Sequence, residues 1–157
     1  MSSHLAWLVP TASLLAALFV AYANYAVQRW RHRADRLGAT VEELCTETND
    51  AADLATKYWL TERPQPVPTD VQRLEAQLVG RQHRLQQLSD ALKVQDPQFD
   101  LNSAETLSAD LYDAMTGGNF RVQLRALDLD RAQLVQARAA ELNGELRRAF
   151  ARRYWRW

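Results

Sequence analysis

At 157 residues, with 19 basic and 19 acidic side chains and no formal net charge, the chain has room for one modest core and no general bias towards nucleic acid. Its single cysteine, Cys45, excludes a disulfide within the chain and zinc sites built on cysteine pairs. The basic side is nearly all arginine, Lys57 and Lys93 being the only lysines, a usage that fits a GC-rich bacterial genome.

Residues 1–4 are a short polar lead. Residues 5–27, LAWLVPTASLLAALFVAYANYAV, contain no charged side chain. As a helix they reach about 34 Å, enough for a hydrocarbon core of about 30 Å, so a transmembrane helix is expected there. Pro10 falls in the first turns, where its missing donor costs least. Trp7, Tyr22 and Tyr25 stand near the ends, as interfacial aromatics do. Ala21-Tyr22-Ala23 resembles a signal-peptide cleavage site, but the lead lacks lysine and arginine and the apolar run is long for a signal core. Ser13, Ala17 and Ala21 form a small-residue face against which a second anchor could pack.

Arg29, Arg31, Arg33 and Arg36 follow the run, with Trp30 and His32 among them, and no arginine or lysine precedes it. The positive-inside bias then places the N-terminus outside and residues 28–157 in the cytoplasm, at an inner (cytoplasmic) membrane. Arg29, Trp30, Arg31 and Arg33 form a candidate membrane interface, with anionic lipid headgroups as the matching partner.

Leu37, Val41, Leu44, Thr48, Ala51, Ala55 and Tyr58 alternate spacings of four and three, predicting a helix to about Leu60. The small residues in mid-stripe imply a close neighbour. Cys45 lies beside this stripe with no histidine or arginine near it in sequence, a poor setting for a nucleophile. Residues 62–70, ERPQPVPTD, break the pattern; three prolines make a stiff connector, the alternative being a ligand for a proline-reading domain.

Thr69 and Gln72 have capping-box spacing and predict the next helix start. Val71, Leu74, Leu78, Leu85, Leu88 and Leu92 trace a coiled-coil-like seam, with Arg81 at the intervening position, until Asp96-Pro97 ends it. A third helix is predicted from Asn102, carrying Leu107, Leu111, Ala114 and Met115 up to Gly117-Gly118. The last is predicted from near Asn119, using Leu124, Leu127, Leu134, Leu142, Leu146 and Phe150. Leu127-Asp128-Leu129-Asp130 is an expected interruption, with Asp130 recapping the helix.

The fold class expected is therefore all-α: one N-terminal transmembrane helix, then an antiparallel bundle of about four helices. Four helices would return the C-terminus towards the bilayer. Phe150, Arg152, Arg153, Tyr154, Trp155, Arg156 and Trp157 supply the basic and aromatic character of an interfacial helix and form a second candidate membrane interface. A packed last helix is the alternative.

No sequence signature for chemistry emerges. There is no His-Glu-x-x-His, no Glu-x-x-His, no nucleophile elbow and no phosphate-cradling loop, and His4, His32 and His83 are far apart in sequence. No metal or cofactor is expected. Candidate contacts for a protein partner are Asp110, Asp113, Gly117, Gly118 and Phe120 around the diglycine corner, and Tyr58 and Trp59, which either cap the core or form a docking patch with Leu60. No motif identifies a family. The leading functional expectation is a non-enzymatic, membrane-anchored adaptor or sensor subunit that binds a protein partner or a second copy. A membrane-perturbing effector of toxin-like or immunity-associated type is the alternative, and a phage-lysis or envelope-spanning subunit the third.

Overall fold

In the computed structural model, which describes the backbone of residues 5–154 and the side chains of Ser13 and residues 15–154, the described residues form four helices and no strand: α1 (Leu5–Trp59), α2 (Thr69–Gln95), α3 (Asn102–Thr116) and α4 (Leu129–Tyr154). The chain divides into two compact units, Met1–Arg36 and Leu37–Trp157.

In the first unit α1 carries Leu15, Leu18, Phe19, Val20, Tyr22, Tyr25, Val27 and Trp30, all exposed. Among the described residues no helix is long and apolar enough to cross a membrane, so the transmembrane helix expected at residues 5–27 is not supported. The continuous part of that segment whose side chains are described, residues 15–27, is shorter than the roughly 20 apolar residues a span needs and includes Tyr22, Asn24 and Tyr25. The side chains of residues 5–12 and 14, including Trp7 and Pro10, lie outside the described residues.

In the second unit the expected stripe of α1 is buried in full. Leu37, Val41, Leu44, Thr48, Ala51, Ala55 and Tyr58 all face the core, joined by Cys45, Ala52 and Trp59. Thr48 satisfies its hydroxyl by donating to the Leu44 carbonyl at 2.8 Å. The seam of α2 is buried as read, from Val71 to Leu92, each leucine contributing roughly 1.5–3 kcal/mol.

Polar pairs between neighbouring helices fix an antiparallel register all the way round. Along α1 and α2, Thr40 meets Gln95, Glu43 meets Arg84, and Glu47 with Asp50 meets Arg81. Along α2 and α3, Lys93 pairs with Glu105 and Gln82 donates to Thr116 Oγ1. Arg138 reaches Asp110 across α3 and α4. On the last pair, Gln136 bonds Asp53 and Thr56, Asn143 bonds Asn49, and Arg147 pairs with Glu42. As residue numbers fall on one helix they rise on the next.

Two predicted boundaries differ. Pro68, in extended geometry, takes the N-cap position of α2, so Thr69 is the first helical residue and no capping box forms. Gln72 donates instead to the Val67 carbonyl. α3 begins at Asn102 as expected, and the Asn102 amide donates to the Asp100 carboxylate at 3.2 Å. Most consequentially, residues 119–128 are not helical. α4 begins at Leu129, with Asp128, not Asp130, accepting from the Arg131 amide at 2.9 Å.

The face of α4 also differs from a reading by leucine alone. Its buried stripe is Ala132, Val135, Ala139, Leu142, Leu146 and Ala149, whereas Leu134 is exposed. Alanines let α4 lie close against the small middle of α1, so packing distance overrides side-chain size as a guide to the core.

Candidate functional site

At one end of the second unit, α1 and α3 both finish, and each leaves carbonyls without helical partners. Two arginines supply the missing donors. Arg125, from the segment joining α3 to α4, directs its guanidinium at the end of α1. It donates to the carbonyls of Tyr58 at 2.9 Å, Trp59 at 3.3 Å and Thr61 at 2.8 Å, and to that of Ala126 at 3.2 Å. Arg131, in the first turn of α4, donates to the carbonyls of Asp113 and Ala114 at the end of α3. Placing cations at two helix C-termini is favourable by hydrogen bonding and by the helix dipole together.

Between the two guanidinium groups lies Trp59. Its ring centroid is 4.8 Å from Arg125 and 5.2 Å from Arg131, and Arg125 also sits 4.5 Å from the Tyr58 ring. The indole nitrogen donates to the Met115 carbonyl at 3.1 Å. Tyr58 and Trp59 are 0 % exposed, so they cap the core and present no docking surface themselves. Phe120 is half-buried, with its ring 5.1 Å from that of Tyr58.

A second buried charge closes this end from the α2 side. Glu75 accepts from Arg63 Nε at 2.8 Å and pairs with Arg121 at 3.3 Å. The Arg121 amide donates to the Tyr58 hydroxyl at 3.0 Å. The connector 62–70 and the crossing segment are thus tied to the same carboxylate, and the Arg63 amide donates to the Arg125 carbonyl at 2.9 Å.

Over this buried polar layer the crossing segment turns leucines outward. Leu124 is 74 % exposed, and Val122, Leu127, Leu129 and the nearby Leu60 are each about half exposed. Leu124 and Leu127 were expected in the core; with residues 119–128 outside any helix, they have no buried face to occupy. Arg121 and Leu124 hold φ of 62° and 56°, the left-handed region that a branched side chain such as leucine seldom enters. Asn119, Gln123, Asp128 and Asp130 line the same shallow depression as these apolar residues. This exposed surface, the crest, thus carries apolar side chains with polar neighbours among them.

The other expected contacts are placed as follows. Asp110 and Asp113 are exposed and pair with Arg138 and Arg131. Gly117 is half-buried; a Cβ there would lie 2.6 Å from the Asp113 carbonyl oxygen, so the turn requires glycine. Gly118, at φ 56°, lies beneath the Arg131 guanidinium. The diglycine corner is thus filled by this chain's own arginine.

Of the candidate membrane interface, Arg29, Trp30, Arg31 and Arg33 are exposed in the first unit. In the second unit Phe150 packs over Gly38, Arg152 joins Arg148 on Glu145, and Arg153 and Tyr154 both bond Asp96. Burial pushes upward on the Asp96 carboxyl, but Arg153, the Gln98 amide and Tyr154 together hold it below its ordinary value. Trp155, Arg156 and Trp157 lie outside the described residues.

Among the described residues, no group of three or more His, Cys, Asp or Glu side chains is arranged to hold a metal ion. Cys45 is buried, and burial pushes its thiol up despite an opposing pull from Arg147. That arginine arrives from α4 and is invisible from the sequence around the cysteine. Neither Arg125 nor the exposed crest was legible as a site. The one signal was the Leu-Asp-Leu-Asp interruption. Comparison with known proteins finds no matching family model, no matching curated protein and no matching solved structure.

Proposed function

We propose that the chain is a non-enzymatic, membrane-tethered helical adaptor that binds a protein partner through the apolar crest at residues 122–129. The observation that carries this reading is the crest itself: apolar side chains held outward on a segment fixed from beneath. Exposed apolar clusters with polar margins are favoured at protein–protein contacts. A loop positioned by a rigid scaffold is a common place for recognition.

Tethering is inferred from the uncharged run at residues 5–27 and the arginines that follow it. The exposed apolar side chains of residues 15–30 also call for a lipid or protein covering. The orientation proposed has the N-terminus outside and the second unit in the cytoplasm. The adaptor reading is favoured over a membrane-perturbing effector because Arg148, Arg152 and Arg153 are engaged by carboxylates of the bundle.

A photoreactive amino acid at Leu124 of the full chain tests the docking surface in cells. A discrete protein adduct is expected from that position, with none from Ala140 on the exposed face of α4. Equal labelling at both positions, or none at Leu124, would overturn the crest as the contact. Alkaline carbonate extraction tests the tether, and a C-terminal reporter active only in the cytoplasm tests its direction.

A further inference from the structure

The crest is joined to the last turn of α1 more closely than to any other helix end. Five hydrogen bonds tie the crossing segment to the end of α1 and the residues just beyond it: three from the Arg125 guanidinium, one from the Asp128 amide to the Trp59 carbonyl, and one from the Arg121 amide to the Tyr58 hydroxyl. Arg125 is 7 % exposed, and among the described residues its guanidinium bonds carbonyls and no carboxylate. Its charge is balanced by carbonyl dipoles that converge only while the end of α1 holds its shape. Among the described residues one of its nitrogens, Nε, has no hydrogen-bond partner. A buried guanidinium satisfied in this way depends on the geometry of the helix end, since fraying scatters the carbonyls and leaves the charge uncompensated.

We propose that Arg125 couples the order of the α1 C-terminus to the conformation of the crest, so that the docking surface is presented only while the last turn of α1 is intact. This rests on the crest being the docking surface. Arg125 is a positioning residue in this scheme. With the clasp closed, Leu124 is held in its left-handed conformation and the leucines point outward. With it open, the tie next to Leu124 is lost, Leu124 relaxes towards ordinary backbone angles, and the crest loses its shape. A load that unwinds the last turn of α1 acts directly on the clasp. Coupling of this kind is reciprocal: a partner that holds the crest in place also stabilises the end of α1.

Amide hydrogen exchange on the full chain in mild detergent tests the coupling without any partner. Arg125→Lys keeps the charge but loses the fork that spans several carbonyls. It is expected to speed exchange about ten-fold at residues 58–61 and 120–128, while amides at Leu78, Leu85 and Leu111 keep their protection. Lys57→Gly, an exposed change confined to α1, loosens the last turn and is expected to speed exchange at 120–128 about three- to five-fold. In the double variant the two effects should be less than additive, because both open the same contact.

If Lys57→Gly leaves the crest at the wild-type rate, or the two effects simply add, the coupling is overturned. Lys57→Gly still decides the matter should Arg125→Lys fail to fold. Exchange reads the clasp and the Leu124 adduct reads docking, so either idea can fail alone.

Discussion

The two ends of the bundle solve the same problem with opposite chemistry. Where α1 and α3 finish, the closing groups are buried: Trp59 between two guanidinium groups, Arg125 on main-chain carbonyls, and Glu75 beneath Arg63 and Arg121. Where α2 and α4 finish, the closure is at the rim. Asp96 collects Arg153 and Tyr154, Arg147 reaches Glu42, and Phe150 lies on Gly38. Buried polar closure costs desolvation and demands full partnership, so losing one member is severe. At the rim the arginine members are exposed even where the carboxylate is not, so closure there is more forgiving, because water reaches a freed guanidinium.

Trp59→Ala should have the largest effect. It removes a fully buried ring, a hydrogen bond to Met115 and the platform for both arginines, and is expected to destabilise by about 5 kcal/mol in urea unfolding. Phe150→Ala, at the half-buried opposite end, should cost about half as much. Equal costs would mean that the buried end owes nothing to its polar layer.

Glu75→Gln comes next. The amide still accepts a hydrogen bond, but Arg63 is left without its counter-charge in a site where both side chains are about one-tenth exposed. A loss of about 3 kcal/mol is expected from the same measurement. Glu42→Gln removes an ion pair whose two side chains are more than half exposed and should change stability by less than about 0.5 kcal/mol. Raising the salt concentration should weaken the Glu42 pair and leave the Glu75 effect almost unchanged.

The contrast also explains what the sequence disclosed. The buried stripes of α1 and α2 were legible in every named position, because each is long, periodic and built mostly of residues with no other place to go. The crossing segment was misread because Leu124 and Leu127 fit a helical period equally well. What breaks that helix is a tertiary demand: Arg125 is drawn to carbonyls 64 to 67 residues away in sequence. No local propensity encodes that distance. Similarly, Ala132, Ala139 and Ala149 face the core of α4 because α1 offers a shallow surface, and Leu134 is displaced to solvent by the same geometry.

Acid should loosen the rim end. The Glu145 carboxyl is held below its ordinary value chiefly by the Arg152 hydrogen bond, opposed by burial and aided by Arg148. Asp96 is also held down, by Arg153 and its other donors against burial. Both native values lie below the ordinary ones of 4.5 and 3.8. Their stabilisation is therefore complete above those ordinary values and is lost as pH falls through the native ones. An NMR titration from about pH 6 to about pH 3 should show α4 losing chemical-shift dispersion at residues 145–154 before residues 129–139. Simultaneous loss along the helix would contradict a distinct rim closure.

The smallest effect expected is that of Gly38→Ala, and its sign sharpens the comparison. A Cβ at Gly38 would stand 3.2 Å from Phe150 Cζ, closer than side chains normally tolerate by a few tenths of an ångström. Against that, alanine improves the helix by about 1 kcal/mol over glycine. Phe150 is only half-buried, and the clashing atom is the far end of its ring, so a small rotation relieves the contact. At Gly117 the same addition would meet the main-chain oxygen of Asp113, which cannot turn aside. A forgiving rim therefore predicts that Gly38→Ala raises the melting temperature slightly, by no more than about 2–4 °C. A fall of that size would mean that Phe150 is pinned through Tyr154 and Asp96, and that the rim is as tightly determined as the buried end.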